Sequence, residues 1–170
     1  FAVHPPRIIA TTGWTTDELA AGIGRAHSDD DPLKKNYDFV TLLIGVNNQY
    51  RGRSIEEYKT QFEELLKQAI LFAHNRPQRV VVLSIPDWGI TPFAAGSDRQ
   101  QIAREIDAFN AANKAIANQY HTYYIDITPG TREAATDNSL LAADGLHPSG
   151  KEYSRWAARI AAYFRSVTGH

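Results

Sequence analysis

Short apolar runs alternate with capped amphipathic helices along the whole chain, and no other feature restricts the fold as much. The runs span residues 7–12, ending at Gly13, 38–44, ending at Gly45, 79–85, halted by Pro86, and 123–127. Apolar stretches of that length between turn residues read as strands covered on both faces. Thr15-Thr16-Asp17-Glu18 and Ser54-Ile55-Glu56-Glu57 each fit a capping box, so a helix follows the first and second runs. Behind Ser54, the residues Tyr58, Phe62, Leu65, Leu66 and Ala69 make one apolar stripe. Ser97 or Asp98 opens a helix with the stripe Ile102, Ile106, Phe109 and Ile116. Ser149 and Glu152 open the last helix, whose inward face is Tyr153, Trp156, Ile160 and Phe164.

Alternation without a repeat or a linker predicts one domain over residues 1–170, a three-layer α/β fold with a mainly parallel sheet and right-handed crossovers. Ligands of such sheets bind beyond the carboxyl ends of the strands. Topology therefore gathers Gly13-Trp14, Gly45-Val46-Asn47-Asn48, Pro86-Asp87-Trp88 and the loop with Asp144 and His147 at one edge. The stretch 128–148 is long for a compact domain, and long loops are often functional.

Composition removes several classes of function. With 18 basic and 19 acidic residues the chain has no electrostatic footprint for nucleic acid. It has no cysteine, so a disulfide framework, a thiolate metal site and a thiol nucleophile are all excluded. No apolar run is long enough to span a membrane, and no signal peptide is visible. Compartment stays open. The chain opens on Phe1 and contains no methionine, from which a preceding segment is expected.

Asp144-Gly145-Leu146-His147-Pro148 places an acid three residues ahead of a histidine in a turn held by glycine and proline. Such an acid can orient one side of the imidazole and leave the other nitrogen to take a proton. An Asp-x-x-His pair is also a common turn without chemistry. Asn47, just after Gly45, can donate its amide to an oxyanion, or Asn47 and Asn48 can form a plain turn. The Gly13 N–H can serve the same oxyanion or sit in an ordinary strand-to-helix turn. Asp87-Trp88 shapes a pocket wall or packs as an ordinary aromatic, and Tyr50 with Trp88 suggests an aromatic-walled cleft. His4, His27, His74, His121 and His170 read as solvated or locally bonded, not as metal ligands. The Asp29-Asp30-Asp31 run reads as a solvated loop, with ion binding the less favoured use.

Taken together, these stretches resemble the SGNH (GDSL-type) hydrolases, esterase and lysophospholipase-like members included. Thr12-Gly13-Trp14-Thr15-Thr16 is similar to the glycine block, Gly45-Val46-Asn47-Asn48 to the Gly-x-Asn-Asp block, and Asp144 through Pro148 to the Asp-x-x-His block. Ser84-Ile85-Pro86-Asp87-Trp88-Gly89 and the stretch from Asp126-Ile127-Thr128 to Ser149-Gly150 add to the likeness, which covers nearly the whole chain. The resemblance implies a flavodoxin-like α/β/α domain and a serine hydrolase cleaving carboxylic esters. His147 and Asp144 would be catalytic, Gly13 and Asn47 would form the oxyanion hole, and Asn48 and Trp88 would contact the small ester substrate. No metal or cofactor is implied.

Two departures stand out. Asn48 occupies the position where the family has Asp, which is expected to weaken local support. The Gly-Asp-Ser block with the nucleophile, normally ahead of the glycine block, is not in these residues, so the first, central strand is expected to be supplied by a separate N-terminal segment. Ser54, Ser97 and Ser149 are better explained as caps, Ser84 lies inside an apolar run, and Ser139 has no strained elbow to present it. The alternative is a non-catalytic carbohydrate- or acyl-binding module on the same fold. A flavodoxin-like phosphate binder is disfavoured, because no glycine-rich phosphate loop follows a strand.

Overall fold

The computed structural model describes residues 4–28, 32–34 and 36–169, so the Asp29-Asp30-Asp31 run and His170 lie outside the described residues. Three parallel strands, β1 (Val40–Leu42), β2 (Val80–Leu83) and β3 (Tyr123–Ile125), stand in the order β1-β2-β3. Val40 faces Val80, and Val82 faces Tyr124. Four long helices accompany them: α1 (Thr16–Ala26), α3 (Ile55–Phe72), α4 (Arg99–Gln119) and α6 (Gly150–Thr168). Two short ones, α2 (Val46–Tyr50) and α5 (Thr128–Arg132), follow β1 and β3 directly.

Alternate residues of a strand point to opposite faces, and β2 uses both. Val80 and Val82 join Tyr58, Phe62, Leu66, Ile106 and Phe109 in the core beneath α1, α3 and α4. Val81 and Leu83 join Ile125, Ile127 and Trp156 in a second core beneath α6. The predicted three layers are present. Local chemistry sets the helix starts: Ser54 Oγ accepts from Glu57 N at 3.1 Å, and Thr15 N donates to Glu18 Oε2 at 2.8 Å. Of Ser97 and Asp98 it is Asp98 that caps, accepting from Gln101 N at 2.9 Å. Helix α6 ends at Gly169, in the left-handed conformation typical of a helix stop.

The structure corrects several expectations. Residues 7–12 form no strand, and the 38–44 run contributes only three residues to the sheet. Thr41 and Leu43 are exposed, the latter by 38%, so β1 is not covered on both faces, whereas β2 is. The cause is pairing. Among the described residues no strand lies beside the outer edge of β1 or beside 7–12, and a β conformation is sustained by its ladder. The 128–148 stretch is not structureless either, because α5, 3-10 turns at Glu133–Ala135 and Asn138–Leu140, and an antiparallel bridge from Leu141 to Pro148 shape it. Finally, Tyr153 is half exposed instead of facing the core.

Ser84 is fully buried and saturated. Its hydroxyl accepts from Ile127 N at 2.8 Å, Thr128 N at 3.1 Å and Thr128 Oγ1 at 2.7 Å, and donates to Asp126 Oδ1 at 3.0 Å. It ties the end of β2 to the end of β3.

Candidate active site

At the carboxyl end of the sheet lies a cavity of about 540 Å³. Gly13, Asn47 and His147, far apart in sequence, all line it, and so does Trp88. Residues 9–12, Leu43 and Ile44 line it as well. His147 is the one lining residue, among those described, of a type able to carry a charge near neutral pH. No serine lines it.

Asp144 divides its carboxylate between two tasks. Oδ1 accepts from Leu146 N at 2.9 Å and His147 N at 3.0 Å, closing the turn in which Gly145 adopts a φ of +66°. Oδ2 lies 2.6 Å from His147 Nδ1. With Nδ1 so occupied, Nε2 is the free nitrogen, and it has no protein partner among the described residues. The Leu146 amide, then the His147 ring and amide, hold the Asp144 carboxyl down at about 2. Ala142 N donates to His147 O at 2.8 Å, which ties the turn to the approach strand of the bridge. Tyr153, one turn into α6, also lines the cavity, and burial together with the Asp144 charge pushes its phenol up.

The opposite wall is built at the start of α2. Gly45 has a φ of +128°, and a Cβ there would stand 2.6 Å from the Tyr58 ring, so only glycine lets the chain turn from β1 into α2. Asn47 Nδ2 donates to Trp14 O at 3.0 Å. An amide nitrogen carries two hydrogens, so the second remains available while the first fixes the side chain. Gly13 has a φ of +87° and its carbonyl accepts from Arg51 Nη2 at 2.6 Å. Its N–H has no protein partner among the described residues.

Asn48 does not contact the cavity, contrary to the sequence-based expectation of a substrate contact. It is fully buried, accepting from Thr16 N at 3.1 Å and donating to Thr16 Oγ1 at 2.7 Å. The Thr16 hydroxyl in turn donates to Gln61 Oε1, and Gln61 Nε2 donates to Glu57 Oε1 at 3.1 Å. Every group in this relay points the right way only if residue 48 both donates and accepts. The amide therefore does not weaken local support, since it completes a chain that an aspartate would reverse. Asn48→Ala would strand the Thr16 amide in the interior and take from the Thr16 hydroxyl the hydrogen it accepts, and a loss of about 2–3 kcal/mol in urea unfolding is expected. A loss below about 0.5 kcal/mol would show the relay to be dispensable.

The 86–95 loop forms the third side. Asp87 is buried, accepts from Gly89 N at 2.8 Å and pairs with Arg132 Nε at 2.8 Å. Trp88 Nε1 donates to Gln49 Oε1 at 2.7 Å, and Gln49 Nε2 donates to Glu105 Oε2 at 2.7 Å. Phe93 lines the cavity as well; its place shortly after Trp88, in the same strand-end loop, was the signal that could have identified it.

His4, His27, His74 and His121 are exposed, and among the described residues no group of three His, Asp or Glu side chains is arranged to hold a metal ion. No helix among the described residues is long and apolar enough to cross a membrane. Of the serines weighed as nucleophiles, Ser54, Ser84, Ser139 and Ser149 have other partners. Ser149 caps α6, accepting from Glu152 N at 3.4 Å, and Ser139 Oγ donates to Asp137 Oδ1 at 2.6 Å.

Comparison with known proteins gives the same fold. An acetylxylan esterase of Geobacillus stearothermophilus is 22% identical over 134 residues, covering 74% of this chain. The chain spans 58% of that curated relative's length. The crystal structure of Axe2, an acetylxylan esterase of the same organism, aligns with a TM-score of 0.65 at 19% identity, over 89% of this chain and 68% of that one. The esterase EstA of Pseudoalteromonas sp. aligns at 0.61 and 14% identity, over 93% and 75% of the two chains. A GDSL-like lipase of Bacteroides thetaiotaomicron aligns at 0.61 and 15% identity, over 91% and 73%. At such identities the structural likenesses speak for the fold alone. The sequence model of the GDSL-like lipase/acylhydrolase family, in contrast, matches residues 3–166, and the chain belongs to that family.

Proposed function

We propose that this domain is the greater part of a serine hydrolase for carboxylic esters, whose nucleophilic serine is carried by a segment outside these 170 residues. The observation that carries the reading is the convergence of an Asp144-held imidazole, the spare Asn47 amide hydrogen and the unpartnered Gly13 N–H on one cavity. In this reading the serine hydroxyl proton passes to His147 Nε2 as Oγ bonds to the ester carbonyl carbon. The carbonyl oxygen, now negative, is met by Asn47 Nδ2, Gly13 N and the serine's own amide. The C–O bond to the alcohol then breaks, and Nε2–H protonates the leaving oxygen. Water repeats the cycle on the acyl-enzyme. With no Asp, Glu, Lys or Arg among the described lining residues, the donors act against little competing charge. The strand bearing that serine is proposed to lie between the 7–12 segment and β1, where it would pair with the open edge.

The likeness to an acetylxylan esterase puts acetyl esters first among substrates to assay. A second reading, a carbohydrate- or acyl-binding module without turnover, is favoured by the lack of a serine among the described lining residues. A serine-directed fluorophosphonate separates the two. In the full-length protein a single adduct is expected on a serine outside residues 1–170, mapped by peptide mass spectrometry. An adduct on Ser84 or Ser139 would overturn the assignment, and no adduct at all would leave the binding module as the better account.

A further inference from the structure

Tyr50, Trp88 and Phe93 form a three-ring corner on the cavity wall. Tyr50 meets Trp88 edge-on with centroids 5.2 Å apart, Trp88 meets Phe93 at 6.1 Å, and Tyr50 meets Phe93 at 6.0 Å. Tyr50 and Phe93 are nonetheless 52% and 49% exposed, so the rings turn much of their surface to solvent. Trp88 and the backbone of its loop are held in place. The indole N–H of Trp88 is taken by the buried Gln49, Thr91 Oγ1 donates to Trp88 O at 2.7 Å, and Arg99 holds the carbonyls of Ile90 and Thr91 at 3.2 Å each. An apolar ring held in this way loses little entropy on binding. The Tyr50 hydroxyl has no protein partner among the described residues.

The corner also has a definite side. Phe93 N donates to Gly145 O at 3.4 Å, and Pro92 lies 3.5 Å from the point where a Cβ on Gly145 would be. It therefore abuts the turn that carries His147, the group that returns a proton to the departing alcohol. We propose that Tyr50, Trp88 and Phe93 form a subsite for a neutral six-membered ring in the alcohol half of the ester. The proposal rests on the ester-hydrolase reading. An aromatic face takes either a phenyl ring or the C–H face of a pyranose, and no side chain with a permanent charge near neutral pH stands among the described lining residues to attract an ion. The free hydroxyl of Tyr50 is placed to bond a sugar hydroxyl.

The test compares phenyl acetate, an acetylated methyl xyloside and ethyl acetate, whose alcohol is too small to span the corner, using the full-length protein. In Phe93→Ala the ratio of kcat/KM for each ring ester to that for ethyl acetate is expected to fall about 3-fold to 10-fold, mainly through KM. Tyr50→Phe is expected to lower the ratio for the xyloside ester and to spare phenyl acetate. A fall for phenyl acetate alone assigns the subsite to aryl alcohols, and a fall for the xyloside alone assigns it to sugars. An unchanged ratio for both, whether because all three esters suffer alike or because none does, overturns the proposal. Failure of the wild-type protein to cleave any ester sinks the hydrolase reading instead. The corner is then read by binding: phenol or methyl xyloside should quench tryptophan fluorescence in the wild type and not in Phe93→Ala, and equal quenching in both removes the subsite.

Discussion

Full-length protein carrying His147→Ala is expected to hydrolyse a short nitrophenyl ester on the order of 10,000-fold more slowly than the wild type, with its fold intact. The expectation follows from the Asp144–His147 geometry. Nδ1 is bound to the carboxylate at 2.6 Å, so the imidazole has one orientation and one free nitrogen for the proton. Alanine removes that nitrogen and nothing in the core, since the side chain is half exposed and its one partner among the described residues is Asp144. Residual turnover should come from the oxyanion donors alone. Asp144 itself adds no titration near neutrality. Its depressed carboxyl stays charged in the folded turn, so its contribution to stability is complete above its ordinary value of 3.8 and is lost as the pH falls through about 2. Unchanged turnover in His147→Ala would remove the proposed base from the mechanism.

Asn47→Ala is the second large effect, an expected loss of about 100-fold to 1,000-fold in kcat with KM little changed. A donor to developing negative charge matters most in the transition state, which is why the loss should fall on kcat. The variant also gives up the bond from Nδ2 to Trp14 O, so its thermal midpoint is measured beside its kinetics. Asn47→Asp keeps the shape but offers no hydrogen to the oxyanion, and a comparable loss of kcat is expected. A fall confined to KM in both variants would place Asn47 in ground-state substrate binding and leave the oxyanion to other donors. The neighbouring Asn48 should behave in the opposite way, since it lies outside the cavity and its removal loosens the α1–α3 contact through Thr16 and Gln61.

What the chain settles by itself is local. Ser54, Asp98 and Ser149 start their helices because a cap satisfies backbone N–H groups within three residues, and the stripes through Phe62 and Ile106 follow from the helical repeat. The gathering of Gly13, Asn47 and His147 was also legible, because a parallel sheet delivers successive strand ends to the same edge. Tertiary structure decided the rest. Asn47 and Asn48 are consecutive and chemically identical, yet one lines the cavity and the other is sealed inside, where it bonds Thr16 at the start of α1. Ser84 became a four-bond knot between two strands, and residues 7–12 failed to become a strand, since no described strand stands beside them. A cap or a stripe is fixed by neighbours along the chain, whereas burial and strand pairing depend on which distant segments arrive, and spacing alone does not encode that.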